Sequence, residues 1–202
     1  MGPQHGFARI TDWEVMKEDD DCAILKMENN EKTEKMWNFK FSLQYTVRIE
    51  NNKLFTILTV HNTDDKEFDF TALLHTYFHV DVPSLEVEGF FGMKFTDSLS
   101  GNDHEESEKV AKVEKNINRI YKNVERSQVI KSKMGAVELH RTGLPGKSLE
   151  HALAIVFRLD RFSNIFLKMR SSLKFLHNLL YNMHIICYFS QKTDVKITAE
   201  CV

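Results

Sequence analysis

The chain has 202 residues, of which 42% are hydrophobic, and its formal charge at pH 7 is −2. This length suffices for one sizeable core, and the near-neutral charge gives no electrostatic reason to expect binding to nucleic acid or to an anionic membrane. No apolar run typical of a secretory signal follows the first residue, and no apolar stretch reaches the ~20 residues of a spanning helix. The cysteines are odd in number and lack metal-type spacing, which argues against a disulfide framework; we therefore expect a cytoplasmic protein. They are Cys22, Cys187 and Cys201.

A long β-hairpin is the clearest predicted element. Apolar and polar residues alternate from residue 39 to 50, which is typical of a strand with one face on a core. Asn51-Asn52 follows, a pair that tolerates the positive φ angles of a tight turn. Residues 54–60 are rich in β-branched and aromatic side chains and predict the return strand. The apolar set of the first strand is Phe39, Phe41, Leu43, Tyr45, Val47 and Ile49.

Further β-structure is predicted down to residue 145. We expect an apolar strand over residues 70–80 and a bulged or kinked strand over residues 87–95, which contain two glycines. Residues 100–116 are polar and predict a mobile surface loop with solvated acidic side chains. Residues 129–140 predict two short strands around Met134-Gly135, a second turn signal. Antiparallel connections of this kind favour a sandwich or barrel-like architecture.

The sequence changes character after residue 146. Residues 147–191 contain no glycine or proline, are dense in leucine, isoleucine and phenylalanine, and place apolar residues at helical spacing. We therefore interpret this stretch as helical, and divide the chain into a β-domain over residues 1–146 and a C-terminal segment over residues 147–202. One hypothesis is that the basic C-terminal segment is a helical interaction element.

Two histidines and a tyrosine share one face of the predicted strand over residues 70–80. His75, Tyr77 and His79 would lie where solvent or a ligand meets the sheet. The alternative is a half-exposed strand whose polar groups have no role. His75 and His79 are four residues apart, a spacing that suits one metal ion on a helix but separates the side chains by ~13 Å on a strand. We therefore expect no metal site there.

A histidine and an arginine stand close together near the start of the chain. The guanidinium of Arg9 offers a planar fork of donors that can hold a phosphate group at two points, and it stays charged at any working pH. His5 lies four residues earlier, and Gly6 between them permits a close backbone approach. The alternative is an exposed N-terminal loop with ordinary charges.

Several segments, taken in order, carry a family resemblance. They are Pro-Gln-His-Gly-Phe-Ala-Arg (3–9) with Asp-Trp-Glu (12–14), Leu-His-Thr-Tyr-Phe (74–78), Gly-Phe-Phe-Gly-Met-Lys-Phe-Thr-Asp (89–97), Arg-Ile-Tyr-Lys-Asn-Val (119–124) and Gly-Leu-Pro (143–145). Over residues 2–145 the chain resembles the glucose-6-phosphate 1-epimerases, or hexose-6-phosphate mutarotases, of the aldose 1-epimerase-like superfamily. The resemblance implies an antiparallel β-sandwich of the galactose mutarotase type. It also implies an isomerase, a monomer that interconverts the α and β anomers of a hexose 6-phosphate without metal or cofactor.

The resemblance also implies roles for particular residues. His75 matches the general acid that protonates the ring oxygen, a task suited to an imidazole that titrates near neutrality. Arg9 matches a phosphate-holding arginine, and His5 would line the sugar pocket. Asn118 stands where the family usually has an aspartate that holds sugar hydroxyls.

The resemblance ends short of the family pattern. The chain begins inside the family's first motif, and after Pro145 we recognise neither the Trp-Asn-Pro-Trp strand nor the Glu-Pro-Gly or Glu-Ala-Gly segment that carries the family's base. His79 stands where an arginine is common, and Glu200 lies in the wrong surroundings to be assigned as the base. We therefore expect a sandwich that is incomplete at both ends. The alternative function is a non-catalytic sugar-phosphate-binding protein or an inactive truncated isoform.

Overall fold

The structure, a computed structural model, consists mainly of antiparallel β-strands. It describes residues 6–68, 70, 78, 80–112, 117–122, 124, 127–142, 153–157 and 195–201. The chain divides into two compact units. One holds the described residues up to Phe70 and residues 195–199, and the other holds the described residues from Phe78 to Phe157 and residues 200–201. Within the described residues, no helix is long and apolar enough to cross a membrane.

Thirteen strands and one short α-helix are described. In chain order they are β1 Glu14–Glu18, β2 Cys22–Glu28, α1 Glu31–Glu34, β3 Phe41–Glu50, β4 Lys53–Asn62, β5 Glu86–Glu88, β6 Lys94–Asp97, β7 Asn102–Glu105, β8 Val110–Lys112, β9 Ile117–Tyr121, β10 Ser127–Ser132, β11 Gly135–Thr142, β12 Leu153–Phe157 and β13 Val195–Cys201, with a 3-10 turn at Val82–Ser84 before β5.

The first unit is a meander in which β1, β2, β3 and β4 pair antiparallel in sequence order. The predicted hairpin is confirmed. Glu50 pairs with Lys53, and the two turn residues Asn51 and Asn52 have φ angles of 51° and 62°. Positive φ at both positions is the geometry of a two-residue turn that matches the twist of its strands.

The core face of this meander is the one that the alternation predicts. Phe41, Leu43, Tyr45 and Val47 are each at most 4% exposed. Aromatic rings pack on one another in this core, where the ring of Phe41 lies 5.3 Å from Phe7 and 5.2 Å from Trp37, centroid to centroid. Apolar packing therefore holds this unit together.

The second unit contains two antiparallel groups of strands. In one, β10 pairs with both β11 and β5, and β5 pairs with β8. The other is a sheet with the order β12-β9-β6-β7. The core residues of the second unit are Val82, Leu85, Val87, Phe90, Phe95, Ala111, Ile117, Tyr121, Val124 and Ile130.

Two predictions for this unit were wrong. Residues 87–95 are not one kinked strand, because β5 ends at Glu88 and β6 begins only at Lys94. Gly89 has a φ of 96°, and a Cβ there would lie 2.8 Å from the carbonyl oxygen of Ser127, so the chain turns there without room for a side chain. Residues 100–116 are not simply a loop, since β7 and β8 lie within them. β7 has four exposed side chains and so carries no alternation for a pattern to detect.

The helical interpretation of residues 147–191 was wrong where it can be compared with the structure. β12 lies inside that stretch and pairs antiparallel with β9, Val156 opposite Asn118. Pairing with a distant strand overrides a local helical pattern in a segment rich in β-branched residues. The rest of the stretch lies outside the described residues, as do residues 71–77. Phe78 and Val80 are described and lie outside strands. The division at residue 146 stays a prediction.

Candidate functional site

Two of the predicted site residues, Arg9 and Asn118, lie within the described residues, whereas His5 and His75 lie outside them. Arg9 belongs to the first unit and Asn118 to the second. Each is therefore described in its own surroundings.

Arg9 lies on a turn whose backbone is held by the core of the first unit. Phe7 and Ala8 are 4% and 1% exposed, and the amide of Ile10 donates to the carbonyl oxygen of Phe7 at 3.0 Å. The indole Nε1 of Trp13 donates to the carbonyl oxygen of Ala8 at 2.8 Å. Arg9 itself is exposed, and its side chain has no hydrogen bond or ion pair with the residues that the structure describes. A fixed backbone thus presents a guanidinium to solvent, an arrangement that can hold an anion.

Asn118 lies on β9 and is half-buried. Because side chains alternate along a strand, it shares a face with Ile120 and lies opposite to Arg119 and Tyr121. The strand is held on either side, since Ser98 donates its amide to the carbonyl oxygen of Asn118 at 2.7 Å and β12 pairs along the other edge. The backbone of Asn118 is therefore fixed, and its side chain lies on the face of β9 opposite to Arg119 and Tyr121.

Polar groups from neighbouring strands occupy the same face as Asn118. Thr96 of β6 lies opposite Ile120, and its hydroxyl donates to Asp103 of β7 at 2.5 Å. The hydrogen bond from Thr96 and the nearby charge of Lys122 lower the pKa of the Asp103 carboxyl, so it is an ionised acceptor near neutrality. Amide, hydroxyl, carboxylate and ammonium groups are the set that hydrogen-bonds sugar hydroxyls. We call Thr96, Asp103, Asn118 and Lys122 the Asn118 face.

A buried ion pair lies on the opposite face of β9. Oε2 of Glu106 accepts from Nη1 of Arg119 at 2.8 Å and from the hydroxyl of Tyr121 at 2.7 Å. The same Arg119 nitrogen lies 3.2 Å from the Tyr121 hydroxyl. Glu106 is 7% exposed, and Tyr121 is 1% exposed. Burial and the hydrogen bond to Glu106 raise the pKa of Tyr121, which keeps the phenol protonated as a donor. We call these three residues the Glu106 cluster.

Aromatic rings enclose the Glu106 cluster. The ring of Tyr121 stacks on Phe90 with centroids 4.1 Å apart, and the guanidinium of Arg119 lies 4.6 Å from the ring centroid of Phe95. A pocket of about 420 Å³ adjoins the ion pair. Its lining residues are Glu106, Glu108, Val110, Ala111, Lys112, Ile117 and Arg119.

The cluster corrects a prediction, because Glu106 is buried rather than solvated. The sequence held one signal of it, an arginine and a tyrosine two residues apart between apolar positions of one strand. The acidic partner could not be identified, since Glu106 is 13 residues from Arg119 and follows an exposed edge strand. Among the described residues, no three potential metal ligands cluster together.

A family model described as aldose 1-epimerase matches residues 2–142. The chain belongs to the aldose 1-epimerase family. Members of this family are isomerases that act on sugars. For this member the matched region includes Arg9, Asn118 and the whole Glu106 cluster.

A protein of Escherichia coli K12, provisionally named glucose-6-phosphate 1-epimerase, is 33% identical over 103 residues. The alignment covers 48% of this aldose 1-epimerase family member and only a third of that relative's length.

Solved structures confirm the predicted fold. A protein of Salmonella typhimurium provisionally named a mutarotase superposes with a TM-score of 0.66 at 19% identity, covering 98% of this chain and 67% of that one. A galactose mutarotase related enzyme of Lactobacillus acidophilus gives 0.61 at 15% identity, covering 100% and 74%. The mainly antiparallel fold is therefore of the galactose mutarotase type.

Proposed function

We propose that this chain interconverts the α and β anomers of a hexose 6-phosphate, glucose 6-phosphate in the first instance. The observation that carries the proposal is the exposed Arg9 on a turn that buried neighbours hold in place. A guanidinium fixed in this way suits a phosphate group, which a plain aldose lacks. The similarity to the Escherichia coli protein named for glucose 6-phosphate supports the same substrate class.

The proposed chemistry is ring opening by acid and base. His75 would donate a proton to the ring oxygen while a base takes the proton of the anomeric hydroxyl, which leaves an open-chain aldehyde. Rotation about the adjacent carbon bond and closure on the other face of the carbonyl give the second anomer, and both protons return. His5 and Asn118 would contact sugar hydroxyls. This chemistry needs no metal or cofactor. We propose further that the protein acts in the cytoplasm as a monomer.

The base is not assigned, and Glu106 does not fit that role. One of its carboxylate oxygens already accepts from both Arg119 and Tyr121. The sugar would lie on the face of β9 that carries Asn118, whereas Glu106 contacts the opposite face. A general base needs to reach the proton that it removes.

Anomer exchange of glucose 6-phosphate, followed by exchange NMR with and without the protein, tests the proposal. We expect faster exchange for glucose 6-phosphate than for glucose. His75→Gln should remove most of the acceleration, about 10²–10⁴-fold. Arg9→Met should weaken binding of glucose 6-phosphate, and Arg48→Met is its matched control, an exposed arginine of β3 in the same unit that stacks on Phe55.

Titration with glucose 6-phosphate separates this proposal from its alternatives. Binding without faster exchange would identify a non-catalytic sugar-phosphate-binding protein, which the neutral Asn118 in place of a carboxylate would help to explain. Absence of both binding and faster exchange would identify an inactive protein and would overturn the proposal.

A further inference from the structure

We propose that Glu106 is a positioning residue, which holds β9 so that Asn118 meets the sugar in the correct orientation. This inference rests on the proposed function, because it assigns Asn118 a substrate contact. In the described part of the chain, the Glu106 carboxylate has its hydrogen bonds and ion pair with Arg119 and Tyr121, which are not members of the Asn118 face. It acts through the strand that carries Asn118.

One carboxylate oxygen holds two side chains of the same strand. Oε2 of Glu106 binds Arg119, the residue next to Asn118, and Tyr121, which is three residues beyond Asn118. Arg119 and Tyr121 lie on one face of β9, so the two bonds restrain rotation of the strand about its own axis. The same rotation would tilt the Asn118 side chain on the other face.

Glu106 is itself anchored to the turn that leads into β6. Its amide donates to the carbonyl oxygen of Met93 at 2.9 Å, and its carbonyl oxygen accepts from the amide of Gly92 at 2.8 Å. β6 follows directly and pairs with β9. Glu106 therefore links β9 to the turn before β6, in addition to the backbone hydrogen bonds between β6 and β9. That link would resist sliding or twisting between the two strands.

The cluster is better suited to orientation than to gross stability. A buried ion pair contributes little net stability compared with apolar residues of the same shape, because both charges lose their water. Its hydrogen bonds are directional, whereas apolar packing tolerates small rotations. Glu106 is 7% exposed and the Arg119 side chain 23%, so water competes weakly for these bonds.

Three variants of the full chain test the inference. Glu106→Gln keeps the shape and removes the charge, Tyr121→Phe removes one donor and keeps the ring, and Asn118→Ala removes the proposed contact. Val87→Ala is the matched control, because it shortens a buried side chain of β5 in the same core and leaves the charges and hydrogen bonds of the Glu106 cluster unaltered.

We expect Glu106→Gln to weaken binding of glucose 6-phosphate by about three- to tenfold, a loss of the size of one hydrogen bond. In the Asn118→Ala background the same change should have no further effect, because residues that act through one another are not additive. Val87→Ala should lower the unfolding temperature and leave the dissociation constant unchanged. A full additional loss in the double variant would overturn the inference.

The side-chain amide signals of Asn118 in NMR spectra of the free protein give a readout that needs no ligand. Glu106→Gln and Tyr121→Phe should shift or broaden them, and Val87→Ala should not. If wild-type protein binds no glucose 6-phosphate, the proposed function fails and these signals alone decide the positioning role. Unchanged Asn118 signals in Tyr121→Phe, or in a folded Glu106→Gln, would overturn it.

Discussion

The two units of this chain build their cores in different ways. In the first unit the buried side chains are largely apolar, and strands that follow one another along the chain pair with one another. In the second unit strands pair out of sequence order, and the core encloses a carboxylate with its arginine and tyrosine partners. Among the residues that the structure describes, Glu106 is the only buried residue with a charged side chain.

Apolar packing stabilises the first unit, whereas directional polar contacts orient a strand in the second unit. Apolar packing in the first unit holds the Arg9 turn in place and leaves the guanidinium exposed. In the second unit a directional polar cluster lies behind the strand that carries Asn118. The unfolding free energy of the first unit should therefore fall mainly when buried side-chain volume is removed. That of the second unit should fall when a buried charge or its hydrogen bonds are removed.

The largest expected effect is loss of an aromatic ring from the core of the first unit. Phe41 is 1% exposed and packs against Phe7 and Trp37, so Phe41→Ala should cost about 4 kcal/mol of unfolding free energy. Urea unfolding followed by tryptophan fluorescence measures it, because both tryptophans of the chain lie in this unit. Met16→Ala, on β1 of the same unit, is the control: Met16 is 53% exposed, and a cost within about 0.5 kcal/mol is expected. Equal costs at the two positions would contradict the comparison.

Removal of the buried carboxylate should have the next largest effect. Glu106→Ala leaves the Arg119 guanidinium and the Tyr121 hydroxyl without their acceptor, and we expect a loss of about 3 kcal/mol. Urea unfolding followed by far-ultraviolet circular dichroism measures it. Glu108→Ala removes an exposed carboxylate that lines the same pocket and should change the stability by less than about 0.5 kcal/mol. If Glu106→Ala were as mild as this control, Arg119 and Tyr121 would not depend on this carboxylate as their acceptor.

A smaller change, of opposite sign, is expected at the hairpin turn. Asn52 has a φ of 62°, which glycine adopts more readily than asparagine, so Asn52→Gly should stabilise the first unit by about 0.5 kcal/mol. Gln44→Gly, in the middle of β3, should instead destabilise it by about 0.5–1 kcal/mol. Thermal unfolding followed by tryptophan fluorescence compares the two. A loss of stability in Asn52→Gly would show that the backbone conformation of the turn residues does not by itself determine the stability of the turn.

The smallest expected effect is electrostatic and lies at the surface of the second unit. The bond from Lys133, at 2.7 Å, and then the bond from Ser84 lower the pKa of Asp81 below its ordinary 3.8. A lowered carboxyl pKa contributes stability that is present above pH 3.8 and is lost as the pH falls through the folded value. Lys133→Met should raise the pKa of Asp81 in a carbon-detected NMR titration. Lys131→Met, which removes a lysine paired with Glu88, should leave that titration unchanged.

Local patterns predicted the parts of the fold whose partners are close along the chain. The hairpin of β3 and β4 followed from alternation and from the Asn51-Asn52 pair, and the turn between β10 and β11 from Met134-Gly135. The exposed edge strand β7 lacked any alternation and was missed. For the candidate site, the roles that motif similarity suggests for His5, Arg9, His75 and Asn118 all stay predictions.

The amino-acid sequence by itself determined the family and the antiparallel hairpin, and it predicted Arg9 as a phosphate ligand. Only the tertiary structure decided that Glu106 is buried, that Arg119 and Tyr121 share its oxygen, and that Asn118 lies on the opposite face of β9. The reason is the distance along the chain. Turn geometry and alternation act between near neighbours, whereas burial of a charge depends on partners that β-pairing brings together from 13 and 15 residues away.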